Sequence, residues 1–158
     1  MQENIHLISR DQLQFEDLHT IVLEGKSIKL SSDSIKSIVN CRTYLDEKVA
    51  RTEKPIYGVN TGFGSLCDHS ISEKDLSQLQ ANLMMSHACG TGDEVPHDLV
   101  KLMLLLKVQS LSYGHSGVQL ITVQRLVAMY NNNILPIVYQ QGSLGASGDL
   151  APLAHLAL

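Results

Sequence analysis

Gly142-Ser143-Leu144-Gly145-Ala146-Ser147-Gly148-Asp149-Leu150-Ala151-Pro152-Leu153-Ala154-His155 is the stretch around which the chain is organised. Glycines at 142, 145 and 148 remove side chains from one line of a loop. Asp149 stands as an N-cap candidate, and Pro152 falls inside the first turn of the helix that follows. Taken alone, the spacing suits a tight loop entering a helix, or an anion site at the helix N-terminus. Neither GxGxxG nor a P-loop pattern is present, so no nucleotide is expected.

Ala146-Ser147-Gly148 also permits a more specific chemistry. If the Gly148 amide nitrogen attacks the Ala146 carbonyl carbon and two waters leave, one of them carrying the Ser147 hydroxyl, the product is a methylidene-imidazolone ring. Glycine leaves its nitrogen open and tolerates the bent backbone, alanine crowds little, and serine supplies the oxygen that is eliminated. Such a ring is an electrophile made from the chain itself. It can draw electrons from an amino acid's amine or aromatic ring so that ammonia departs, which no ordinary side chain does.

Working outward, the periodicity predicts a mainly α fold with a small α/β start. Ile5 and Leu7, then Ile28 and Leu30, alternate with polar residues on either side of a helix ending at Gly25. Ile35, Ile38, Val39, Leu45 and Val49 predict a helix over residues 33–51. Three glycines within Tyr57-Gly58-Val59-Asn60-Thr61-Gly62-Phe63-Gly64 predict a loop. Ser72 and Asp75 form a helix-start signal, and Leu76, Leu79, Leu83 and His87 follow on one face, with Gly90 and Gly92 ending the helix. A nearly all-apolar helix is predicted at 97–112, another at 117–131 stopped by three asparagines, and an extended piece at 134–139. No repeat or low-complexity tract interrupts this order.

The chain has 158 residues, one domain's worth on length alone, and a formal charge of −4 with scattered basic residues. Nucleic acid is therefore not an expected partner. The richest apolar run, 99–111, is interrupted by Lys101 and Lys107 and falls short of the ~20 residues a bilayer needs, so no membrane span is expected. Cys41, Cys67 and Cys89 are odd in number and in no CxxC pairing, so neither a disulfide frame nor a metal site is expected, and buried structural thiols are. The first residues hold no basic leader or apolar segment, which makes a cytoplasmic protein the default.

The segments YGVNTGFG, SHACGTG and GSLGASGDLAPLAH, in this order, closely resemble the aromatic amino acid lyase family, over nearly the whole chain. The resemblance implies the N-terminal, ring-forming part of that family's fumarase/aspartase-like helical fold, spanning residues 1–158. It implies deamination of an aromatic amino acid, with L-histidine, giving trans-urocanate and ammonia, favoured over tyrosine. It also implies a homotetramer whose active sites draw on more than one subunit. Matched residue by residue, Ala146, Ser147 and Gly148 are the precursors of the methylidene-imidazolone (MIO) group. Tyr57 falls on the base that removes the β-proton; a tyrosine near pKa 10 needs a supporting electrostatic setting for that task. His87 falls at the selectivity position, where an imidazole can hydrogen-bond a polar substrate ring. Asn60, Gly62 and Gly64 shape the loop around substrate and ring, while His115 and His155 are expected to be structural or at the surface. His115 and Gln119 depart from the family's frequent aromatic and arginine at those positions.

The resemblance further implies that an Asn, a Gln, a second Tyr, an Arg and a Glu lie downstream of Leu158, so the site is expected to be incomplete here. Leu150, Leu153, Ala154 and Ala157 make an apolar face on a segment too short for an isolated helix and without a C-cap signal, which agrees with a truncated chain. The 158 residues alone are expected to be inactive, with Ser147 largely unmodified, because the backbone compression behind cyclisation needs surrounding structure. The alternatives are a tyrosine-specific lyase or aminomutase of the same family, and a non-catalytic helical module that associates through its apolar faces.

Overall fold

A computed structural model describes residues 4–52, 54–62, 64, 67, 69, 71–145 and 148–158. The chain forms two compact units, Met1–Glu47 with Pro96–Leu135, and Lys48–Val95 with Pro136–Leu158. Helices dominate both, in keeping with the mainly α expectation.

The first unit begins with β1 (Ile5–Ile8), α1 (Phe15–Leu23) and β2 (Ser27–Leu30), the two strands pairing in parallel with Ile5 opposite Ser27 and Ile8 opposite Leu30. The α/β start is thus present, but the inward phase of β1 is one residue off the expected one. Ile8 is fully buried, whereas Ile5 and Leu7 are exposed. Buried polar contacts at the strand end set that phase: Ser34 Oγ donates to the Ile8 carbonyl, and Gln109 Nε2 and Ser112 Oγ both donate to the Ser9 carbonyl. Helix α2 (Ser32–Arg51) follows, with Ser31 Oγ accepting from the Ser34 amide at its start.

Helix α4 (His97–Ser112) supplies Val100, Leu104, Leu105, Val108 and Leu111 to the core, and α5 (Leu120–Asn131) packs on it with Val123 and Tyr130. Helix α5 starts three residues later than expected, because Gln119 is extended. It ends in a Schellman motif: Asn133 takes φ 54, its amide donates to the Tyr130 carbonyl, and the Ile134 amide donates to Met129. Asn131, at the helix end, clamps β2 through both sides of its amide, accepting from Ile28 N at 2.8 Å and donating to Ile28 O at 2.9 Å.

The second unit holds a 3-10 turn (Glu73–Asp75), α3 (Leu76–His87), β3 (Thr91–Glu94), β4 (Tyr139–Gln141) and α6 (Leu150–Ala157). Strands β3 and β4 pair antiparallel with an irregular register. The helix expected to run to Gly90 stops at His87, and after a three-residue turn strand β3 begins at Thr91. The extended piece expected at 134–139 becomes a strand only from Tyr139; Val138 is buried and its carbonyl accepts from Val95 N. Helix α6 packs on α3, burying Ala151, Ala154 and Leu156.

None of the three cysteines is buried: Cys41 and Cys67 are half-buried and Cys89 is exposed. Cys41 shares the face of α2 that buries Ser34 and Ile38, but beyond Ile38 no residue of that helix is fully buried, and Cys89 lies exposed in the turn after α3 with its sulfur 3.5 Å from the Gly142 carbonyl. Among the described residues no helix is long and apolar enough to cross a membrane, and no three His, Cys, Asp or Glu side chains are grouped to hold a metal.

Candidate active site

Among the described residues, every site residue expected from the sequence belongs to the second unit. The loop after α2 is braced from inside. Asn60 is buried, its Oδ1 accepting from Ile56 N at 2.6 Å and its carbonyl from Ile71 N at 2.8 Å. Thr61 is fully buried, and its hydroxyl accepts from Gly58 N and donates to the Gly62 carbonyl. Tyr57 is on the loop's exposed side, where its hydroxyl oxygen accepts from the Gly64 amide at 3.4 Å. Tyr57 and Gly64 therefore meet across the turn, with Asn60 as the brace beneath.

On α3 the half-buried positions are the expected stripe, Leu76, Leu79, Leu83 and His87, together with Met84. His87 lies at the helix end, with Nδ1 2.8 Å from the Leu83 carbonyl. A carbonyl only accepts, so this bond puts the proton on Nδ1 and makes Nε2 the acceptor edge of the ring. Ser86 Oγ, 3.0 Å from the same nitrogen, also donates to Leu83 O.

The turn after His87 rests directly on the glycine loop. Gly142 adopts φ +116, and a Cβ there would stand 2.7 Å from the Cys89 carbonyl oxygen and 2.9 Å from the Gly90 Cα. Only glycine combines that conformation with that closeness. Cys89 Sγ adds a bond to the Gly142 carbonyl at 3.5 Å. Two of the quoted segments, SHACGTG and GSLGASG, are thus in backbone contact.

Ala146 and Ser147 lie outside the described residues. Gly148 is described: its φ of +117 is a conformation side chains rarely adopt, and nothing lies within 4 Å of where a Cβ would be. Asp149 precedes α6 as expected, but its side chain makes no cap bond to the helix. His155, read from the sequence as structural or superficial, is half-buried and accepts from the Gly90 amide through Nε2 at 2.8 Å. A lone histidine on an eight-residue helix gave no sign of that partner.

His115 and Gln119 both belong to the first unit; His115 is exposed and Gln119 immediately precedes α5. Two clefts of that unit, of about 460 and 440 Å³, are lined by residues such as Ser9, Asp33 and Lys36, and Ile35, Gln124 and Val127. None of the expected site residues lines either one.

The second unit thus packs a glycine loop entering a helix on the turn after a histidine-bearing helix end. The family model for aromatic amino acid lyases matches residues 13–158, and the chain belongs to this family. It is similar to the histidine ammonia-lyase of Deinococcus radiodurans, 48% identical over 152 residues that make up 96% of this chain and 29% of that protein. Among solved structures it is similar to the histidine ammonia-lyase of Trypanosoma cruzi, at 34% identity and a TM-score of 0.84 over 98% of this chain and 29% of that one. It is also similar to ergothionase from Treponema denticola, at 27% identity and a TM-score of 0.91 over 98% of this chain and 31% of that one. The chain spans about 30% of the length of the curated relatives it matches.

Proposed function

We propose that the chain is the ring-forming part of an ammonia-lyase that converts L-histidine to trans-urocanate and ammonia, with its activity belonging to the longer protein. The observation that carries this reading is the backbone contact of the Cys89-Gly90 turn with Gly142, which ties the end of the His87 helix to the loop holding Ala146-Ser147-Gly148. The fit to a methylidene-imidazolone group made from that triple rests on Gly148, whose conformation and open surroundings leave its backbone unobstructed on the Cβ side. Once formed, that group supplies the electrophile that lets ammonia leave.

The chain's own residues have the remaining tasks. Tyr57, held at the loop surface by the Gly64 amide, acts as a phenolate whose oxygen takes the β-proton and becomes the hydroxyl. Asn60 and Gly64 keep the loop in shape around the substrate. His87 orients the substrate ring: with its proton on Nδ1, Nε2 accepts a hydrogen bond from an imidazole N–H, and an apolar ring offers nothing in return. A phenol hydroxyl could meet the same acceptor, so tyrosine is the competitor to test. The exposed Met85, Leu144 and Leu153 support covering by further chain or by other copies, in a homotetramer.

The test is turnover by the protein expressed from the complete reading frame. Ammonia and urocanate from histidine, with tyrosine and phenylalanine slower, are expected, and His87→Leu should narrow the preference for histidine by about 10- to 100-fold in kcat/KM. Faster turnover of tyrosine would overturn the substrate, and no ammonia from any aromatic amino acid would overturn the reaction. The 158 residues alone are expected to show no turnover.

A further inference from the structure

We propose that His155 is a positioning residue for this reaction, setting the place of the turn after His87 relative to the ring-forming loop; the inference rests on the functional reading above. His155 lies on α6, the helix that follows Gly148, and accepts from the Gly90 amide, three residues after His87. That bond requires a neutral imidazole with its proton on Nδ1. The ring is held from a second side by Tyr139, whose ring meets it edge-on at 5.3 Å and 78°. Tyr139 opens β4, which pairs with the strand that follows Gly90.

Position 90 is built for this contact. A Cβ there would stand 2.7 Å from His155 Nε2 and 2.9 Å from its Cδ2, so only glycine lets the imidazole reach the amide. The same turn lies against Gly142, so a shift of Gly90 is a shift of the glycine loop's neighbour.

The bond does more for direction than for stability. Gly90 is half-buried, and water could satisfy its amide almost as well as an imidazole does. Water could not fix where the turn stands. An error of about 1 Å in a site's supporting contacts costs up to about 100-fold in rate.

The experiment uses protein from the complete reading frame as wild type, His155→Leu, His155→Gln and Gly90→Ala. Two readouts are taken: the fraction of protein lighter by two waters, from intact mass, and kcat and KM for histidine. His155→Leu is expected to lower the two-water fraction and to reduce kcat about 10- to 100-fold while KM changes less than about threefold. His155→Gln, whose amide oxygen can accept from Gly90, restores both. Gly90→Ala, which keeps the histidine but puts a Cβ 2.7 Å from its Nε2 and so displaces the ring from the amide, reproduces the loss and decides the matter if His155→Leu does not fold. Wild-type ring content and kcat in His155→Leu or in Gly90→Ala overturn the inference while the functional reading stands. A wild type without the two-water deficit overturns both.

Discussion

The two units hold themselves together in different ways. Among the described residues, the first buries twelve hydrophobic side chains, from Ile8 to Tyr130, nearly all of them Ile, Leu or Val. The second buries four, of which two are alanines. Fully burying a large aliphatic side chain is worth about 1.5–3 kcal/mol, so the first unit has by far the larger hydrophobic stabilisation. The second is organised by backbone: the Gly142 approach to Cys89, the Gly90–His155 bond and the Asn60 brace. Every described residue of the expected site lies in this second unit. A site that must bring loop backbone close to a substrate uses glycine and polar braces, and those give geometry rather than burial.

The contrast can be broken by substitution. Leu104→Ala, at a position with no exposure, is expected to cost about 2–5 kcal/mol in denaturant unfolding, and Leu153→Ala, 41% exposed in the second unit, well under that. Equal losses would abolish the distinction. Gly142→Ala forces a strained conformation against the Cys89 carbonyl and is expected to cost about 1–3 kcal/mol, read as faster hydrogen exchange at Gly90 and in β3 and β4 with the first unit unchanged. Asn131→Ala leaves both backbone groups of Ile28 without their partner and should cost about 1–2 kcal/mol. Tyr130→Phe should stay within about 1 kcal/mol of wild type, because the buried Tyr130 hydroxyl has no hydrogen-bond partner among the described residues.

The smallest effect is one of pH. Burial lowers the pKa of His6 from its ordinary 6.5; the Asp17 carboxylate opposes the shift and Lys26 adds to it. A histidine lowered on folding favours the folded state most above pH 6.5, and that contribution is lost as pH falls through 6.5 towards the lowered value. His6→Gln should flatten this part of the stability profile, and an unchanged slope would assign it elsewhere.

What the sequence made legible follows the same division. Helix α4, predicted at 97–112 from a long apolar run after Pro96, spans His97–Ser112, and α2, predicted at 33–51 from aliphatic periodicity, spans Ser32–Arg51, because signals sustained over four or more turns leave little choice of element. Short elements were not fixed by their own residues. Ile5, Leu7 and Ile8 allow either phase of a four-residue strand, and polar contacts from Ser34, Gln109 and Ser112, distant in sequence, select one. Strand β3, Thr91–Glu94, has no apolar residue and is wholly exposed, so only its pairing with β4 makes it a strand. In the site, the motif strings located the loop and the helix end, but the partner of His155 is a backbone amide 65 residues away, which no local pattern signals.

Conversion of Ala146-Ser147-Gly148 to the electrophile is read by intact mass and peptide mapping of the protein from the complete reading frame. A deficit of two waters confined to the peptide that contains residues 146–148 is expected, in a preparation that releases ammonia from histidine. An active preparation in which that peptide keeps its full mass, with Ser147 unmodified, would contradict it.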